Sequence, residues 1–230
     1  MSAIIAPSLM CADFTDIKGE VAKLDAAKVD IFHMDVMDGH YVRNVALGVE
    51  DYKAVRSLTS TPMDIHLMVE NPDAYIDMFA PLGPNIIYVH PDTAPNIVQT
   101  IKHLRDLGIA PGIAIDPSLF ISQVQDLLPL VDYVLVMTVN PGFAGQAFLD
   151  YTVPKVTELG QLKEQFNFKL LVDGAISPAR IQQLAAVGVD GFIVGTSSLF
   201  GKGRAYTDIV TELRTIAEQA ASDHLLASAH

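Results

Sequence analysis

Short apolar runs recur along the whole chain, each followed by a loop, an amphipathic stretch and the next apolar run. Eight of these runs read as strands: Ile4–Pro7, Ile31–Val36, Met63–Met68, Ile86–Val89, Gly112–Ile115, Tyr133–Met137, Lys169–Val172 and Gly191–Val194. They lean toward continuous apolar character, as strands covered on both faces do. The stretches between them carry helix punctuation. "NPDAYIDMFAPLG" offers Asn71 as N-cap, Pro72 at the first helical position and a stop near Gly83. "SPARIQQLAAVG" repeats the scheme with Ser177, Pro178 and Gly188.

Eight β–α units in 230 residues predict an α/β fold, a closed (β/α)8 TIM barrel forming one domain over residues 1–230. The competing open, doubly wound sheet usually begins with a glycine-rich first turn, and "PSLMCAD" is not one.

Composition narrows the classes of function. Half of the residues are apolar, enough for a sizeable core, yet no run approaches the roughly 18 apolar residues of a membrane span. "MSAIIAPSLM" has no basic leader region, and one cysteine, Cys11, rules out an internal disulfide. A net charge of -12 argues against nucleic acid as a partner. A cytoplasmic protein with no membrane partner is the expectation, and so is a homo-oligomer.

In such a barrel the chemistry gathers at the C-terminal ends of the strands. Polar residues fall there repeatedly: Ser8, His33 and Asp35, Asp64 and His66, His90, and Asp173. Strand alternation sends His33, Asp35 and Met37 to one face. Two imidazoles and two carboxylates, His33, Asp35, His66 and Asp173, could converge on a divalent transition metal. A buried carboxylate pair without a counter-ion is costly, which supports a metal over four separately satisfied polar groups. Asp38 is expected to be a loop carboxylate. Asp64 is placed on the face opposite His66, toward the helices.

Glycine-rich loops follow the sixth, seventh and eighth predicted strands: "NPGFAGQ", "DGA" and "VGTSSLFG". Their backbone N–H groups point to a phosphate site, which an acidic chain could form without cationic side chains. Met37, Met68 and Met137 fall at or just beyond strand ends and could cap a reacting centre, although methionine is more often core filler.

Taken together, "IAPSLM", "CAD", "HMDVMDGHYV", "DIHLMVENP", "VMTVNPGFAGQ" and "LLVDG" resemble the ribulose-phosphate 3-epimerase family over essentially the whole chain. The resemblance implies one divalent metal (zinc, iron, manganese or cobalt) held by His33, Asp35, His66 and Asp173. It makes Asp35 and Asp173 the acid and base. It further implies phosphate contacts from Gly142, Phe143, Ala144, Gly145, Gly174, Ala175, Gly195, Thr196 and Ser197. Ser8 and His66 would meet the substrate as well. "PSLMCAD", "HPDT", "GFAGQ" and "VGTSSLF" look more like the allulose-6-phosphate 3-epimerase branch, so a hexulose phosphate is the expected substrate, with ribulose 5-phosphate the alternative. Arg43 and Ala175 match neither branch cleanly.

The C3 proton of such a ketose lies α to the C2 carbonyl, and its removal gives an enediolate that a Lewis acid stabilises. Inverting C3 takes one carboxyl group on each face of that plane. Two rivals stand beside this reading. A barrel lyase or decarboxylase would be expected to set a lysine beside its aspartates, and "MDVMDG" and "LLVDGA" contain none. A non-catalytic sugar-phosphate-binding barrel would lack an acid or a ligand, and none is missing.

Overall fold

The computed structural model describes residues 2–228. In chain order the elements are β1 (Ile4–Pro7), α1 (Ile17–Ala26), β2 (Phe32–Asp38), β3 (Val45–Ala46), α2 (Val49–Arg56), β4 (Met63–Met68), α3 (Asp73–Phe79) and β5 (Ile86–Val89). They continue with α4 (Ile97–Asp106), β6 (Ala110–Ile115), β7 (Tyr133–Met137), α5 (Val153–Phe166), β8 (Lys169–Asp173), α6 (Pro178–Ala185), β9 (Gly191–Val194) and α7 (Tyr206–Ser228). The strands form one curled sheet in the order β1-β9-β8-β7-β6-β5-β4-β2-β3, parallel throughout except for the short β2–β3 pair. Outside the ladders a parallel bridge, Ser8 to His33, brings β1 onto β2 and closes the ring. This is a TIM barrel, as the alternation of apolar runs predicts.

The β1–β2 seam is thin because β1 stops at Pro7, which has no N–H to give. Its lower end is tied by side chains instead. Asp30 donates its N–H to the Ile5 carbonyl, and its carboxylate accepts from the Ile5 N–H and from Arg214 of α7.

Two apolar layers result. The larger lies between strands and helices and includes Ile5, Phe32, Met34, Ile65, Ile87 and Val172. The smaller fills the barrel itself with Ala6, Tyr88, Ala114, Leu135, Leu171 and Ile193. Gly112 makes room there for the Tyr88 ring, since a Cβ on it would sit 2.4 Å from Tyr88 Cδ1.

Three local expectations are revised. The predicted N-cap Asn71 makes no cap bond: it lies at φ 52° with its N–H on the Thr93 carbonyl, and Pro72 precedes α3 instead of opening it. The predicted strand Ile31–Val36 becomes β2, beginning one residue later and continuing to Asp38. Between β6 and β7 there is no α-helix; two 3-10 segments, Ile121–Gln123 and Gln125–Leu130, occupy that place, with Pro129 removing a helix donor. The α6 cap forms as expected, Ser177 Oγ accepting from the Arg180 N–H. Among the described residues, no helix is long and apolar enough to cross a membrane.

Candidate metal centre and substrate cavity

Along β2, Met34 and Val36 face the helices while His33, Asp35 and Met37 point inward. Its parallel register on β4 sets Asp35 beside His66 and His33 beside Asp64. β8 delivers Asp173 at its end. One donor atom from each of His33, Asp35, His66 and Asp173 lies within 4.8 Å of all the others. Asp35 Oδ1 is the hub, 3.3 Å from His33 Nε2 and 3.2 Å from His66 Nδ1. Asp173 Oδ2 is 3.8 Å from His66 Nδ1 and keeps 17% of its side chain exposed.

The electrostatics of this group suit a cation. Burial works against charge on Asp35, yet His33 and His66 hold its carboxyl far below the ordinary carboxylate range. Burial and the Asp35 carboxylate push Asp173 the other way, up to about 7. Burial also resists charge on His33, but the Asp64 and Asp35 carboxylates raise its pKa well above the usual histidine value. His33 Nε2 is buried with no hydrogen-bond partner, and it points at the carboxylate hub. A donor set of two imidazoles and two carboxylates fits a divalent transition metal.

Asp64 does not face the helices. It stands two residues from His66 and therefore on the same side of the strand, fully buried, with Oδ1 2.7 Å from His33 Nδ1. It lies behind the centre, its carboxylate set against the His33 ring. His66 is backed by His90, the two Nε2 atoms 2.8 Å apart. Burial keeps the His90 pKa below the usual histidine value. Asp38, expected in a loop, is instead the last residue of β2, paired with Val45, and its carboxylate accepts from the N–H groups of His40, Tyr41 and Glu70.

Above the centre a cavity encloses about 560 Å³ of empty space, part of it continuous with solvent. Ser8, Asp35 and Asp173 form its floor side, and Met37, Met68 and Met137 line it, as expected of an apolar cap. Gly142, Phe143, Ala144, Gly145, Gly174, Ala175, Gly195, Thr196 and Ser197 all reach the same cavity. His33 and His66 lie beneath it, without exposed surface. No Lys or Arg lines it, so an anion entering it would meet backbone dipoles. Gly174 is required at φ 117°, where a Cβ would come within 2.5 Å of Val139 Cγ2, while Ala175 adopts φ 54° despite its side chain. Ser8 Oγ donates to Asp35 Oδ2 at 2.5 Å and so orients that carboxylate.

A family model described as "Ribulose-phosphate 3 epimerase family" matches residues 4–200. The chain belongs to the ribulose-phosphate 3-epimerase family. Its members are isomerases that use a divalent metal, for which His33, Asp35, His66 and Asp173 here provide a fitting site. It is 37% identical over 222 residues to the ribulose-phosphate 3-epimerase of Rhodobacter capsulatus, an alignment covering 96% of each chain. To the ribulose-phosphate 3-epimerase of Bacillus subtilis (strain 168) it is 34% identical over 201 residues, covering 86% of this chain and 92% of the relative. Among solved structures, thiamine phosphate pyrophosphorylase from Pyrococcus furiosus superposes with a TM-score of 0.64 at 14% identity, covering 94% of this chain and 95% of that one. At that identity the likeness is one of fold.

The sequence reading left Tyr41 and Asp116 out of the epimerase site. Asp116 follows β6 in "IAIDP", the same strand-end signal that marks Asp173. Its carboxyl is held below the ordinary range: burial opposes charge, but His90 and Tyr41 stabilise it more.

Proposed function

We propose that this chain inverts C3 of a phosphorylated ketose, interconverting ribulose 5-phosphate and xylulose 5-phosphate. The observation that carries the reading is the pair Asp35 and Asp173, brought together over one cavity from β2 and β8, with β1 and β9 between them in the ring. Neighbouring carboxyls whose proton affinities are pushed apart form an acid–base pair. Asp35, kept ionised by His33 and His66, is placed to take the C3 proton, and Asp173, raised to about 7 in the metal-free site, is placed to give one from the other side. Their roles exchange with the direction of reaction.

His33, His66, Asp35 and Asp173 would hold the divalent metal. When bound, it supplies Lewis-acid stabilisation of the negative charge that develops as the proton leaves. Ser8 orients Asp35 through its hydroxyl. Met37, Met68 and Met137 keep the reacting end of the cavity apolar. The loops at 142–145, 174–175 and 195–197 receive the phosphate through backbone N–H groups.

The pentulose is preferred over the hexulose because relatives named as ribulose-phosphate 3-epimerases align over 86–96% of the chain. Of the four segments that look like the allulose-6-phosphate branch, "PSLMCAD", "GFAGQ" and "VGTSSLF" supply residues that line the cavity, and "HPDT" does not. One extra hydroxymethylene is worth only about 1–3 kcal/mol of discrimination in a pocket. The test compares kcat/KM for ribulose 5-phosphate and allulose 6-phosphate on one metal-replete preparation. A higher value for the pentulose, with solvent deuterium appearing at C3, is expected. A higher value for allulose 6-phosphate would move the substrate to the hexulose. Binding without exchange would leave only a sugar-phosphate-binding barrel.

A further inference from the structure

His66 turns Nδ1 toward Asp35 and Asp173 and Nε2 away from them, onto His90 Nε2 at 2.8 Å. The two imidazole planes are 25° apart, with centroids separated by 5.0 Å. On its other side His90 Nδ1 lies 2.9 Å from Asp116 Oδ1 and 3.1 Å from the Tyr41 hydroxyl. That hydroxyl donates to Asp116 Oδ2 at 2.9 Å. The loop carrying Asp116 is itself pinned, since Lys155 Nζ donates to the carbonyls of Asp116 and Pro117.

Donor and acceptor roles follow along this line. Tyr41 gives its one hydroxyl proton to Asp116 Oδ2, so its oxygen can only accept from His90 Nδ1, and that nitrogen carries a proton, with the Asp116 carboxylate beside it. A neutral His90 then has a bare Nε2, which accepts from His66 Nε2–H. His66 is left with its Nδ1 lone pair directed at Asp35 and Asp173, the place where a cation would sit. The reverse assignment lets His66 Nδ1–H donate to Asp35 Oδ1 at 3.2 Å, but it occupies with a proton the lone pair a cation needs and leaves a bare His90 Nδ1 against a carboxylate, so it belongs to the site without its metal.

We propose that Tyr41, Asp116 and His90 are positioning residues that hold His66 in the one neutral tautomer able to bind a metal through Nδ1. The inference rests on the metal reading of the centre. Asp64 does the same for His33 in a single step; for His66 the task passes through a second imidazole to residues of two loops at the barrel mouth. Partners of this kind typically change metal affinity by about 10–100-fold.

The experiment has two arms. In protein labelled with 15N in its histidine rings and loaded with Zn²⁺, His90 should be protonated at Nδ1 and bare at Nε2, the less common form of a free imidazole. His66 should be protonated at Nε2. In the second arm the unaltered protein, Asp116→Leu and Asp116→Asn are titrated with Co²⁺ and followed by visible absorption. Asp116→Leu should raise the Co²⁺ dissociation constant about 10–100-fold, and Asp116→Asn, whose amide oxygen still accepts, should recover most of that loss. Co²⁺ affinity unchanged in Asp116→Leu, or a proton on His90 Nε2 in the loaded protein, would overturn the inference and leave the metal reading standing. An unaltered protein that binds neither metal would end both.

Discussion

His33 Nδ1 lies 2.7 Å from Asp64 Oδ1, with both side chains shut off from solvent. The contact sets a carboxylate against Nδ1, so in the metal-loaded protein the ring proton belongs there and Nε2 is the nitrogen left for the ion; Asp64 thus bears on His33 without reaching the cavity. Replacing Asp64 by Leu should weaken metal binding about 10–100-fold. Leaving the buried Nδ1–H unpaired should also cost about 1–3 kcal/mol of stability. Metal titration and urea denaturation read the two effects separately, and Asp64→Asn, which keeps an acceptor oxygen, should lose less in each.

Asp35→Asn and Asp173→Asn should each lower kcat by about 10²–10⁴-fold or more, the range of general acid–base catalysis, because inversion needs both carboxyl groups. Turnover is measured alongside metal content, so that loss of a ligand is distinguished from loss of a proton carrier. Substantial turnover in either variant would remove the two-acid scheme.

The raised pKa of Asp173 fixes the sign of a pH dependence. In the metal-free folded protein this carboxyl keeps its proton up to about pH 7, whereas an unfolded aspartate releases it near ~3.9. Between these values the folded state holds more protons, so stability of the metal-free protein should fall as pH rises from about 4 to about 7. His33, also raised, acts in the same direction above about pH 6.5, while His90, lowered, acts against both below it. Metal binding displaces these protons, so added Mn²⁺ or Zn²⁺ should raise Tm more at pH 8 than at pH 6. An equal shift at both pH values would refute the assignment.

Neighbouring residues in the loop after β8, proposed to receive the phosphate, should respond in opposite ways. Ala175 sits at φ 54°, where a side chain is strained, and Ala175→Gly should stabilise the protein by up to about 1 kcal/mol. Gly174→Ala would drive a Cβ to 2.5 Å from Val139 Cγ2, and should cost about 1–3 kcal/mol and weaken inorganic phosphate binding. Denaturant midpoints and a phosphate titration check both.

The barrel and the convergence of the four residues that could hold a metal were legible because strand periodicity is local: His33, Asp35, His66 and Asp173 announce themselves as polar residues at the inward, C-terminal ends of apolar runs. Asp64 was misplaced although its spacing from His66 puts the two on one face. A carboxylate inside a barrel looks unaffordable until its partner is seen, and that partner sits on another strand, visible only through the β2–β4 register. Asp116 and Tyr41 were out of reach for a related reason. They are 75 residues apart and meet at a histidine 49 residues from Tyr41, so only the lateral strand order β2-β4-β5-β6 brings them together.

The seam between β1 and β2 gives the centre a second significance. Its lower end is tied by Asp30 and Arg214, and its upper end by the bridge from Ser8 to His33. Ser8 also hydrogen-bonds Asp35, so the stitch that shuts the ring runs onto two of the residues that would grip the ion. A metal at this position would act as a clasp on the architecture, tying the staves β2, β4 and β8 together through its ligands, and damage at Ser8 would loosen the cask at its seam and misaim Asp35 together.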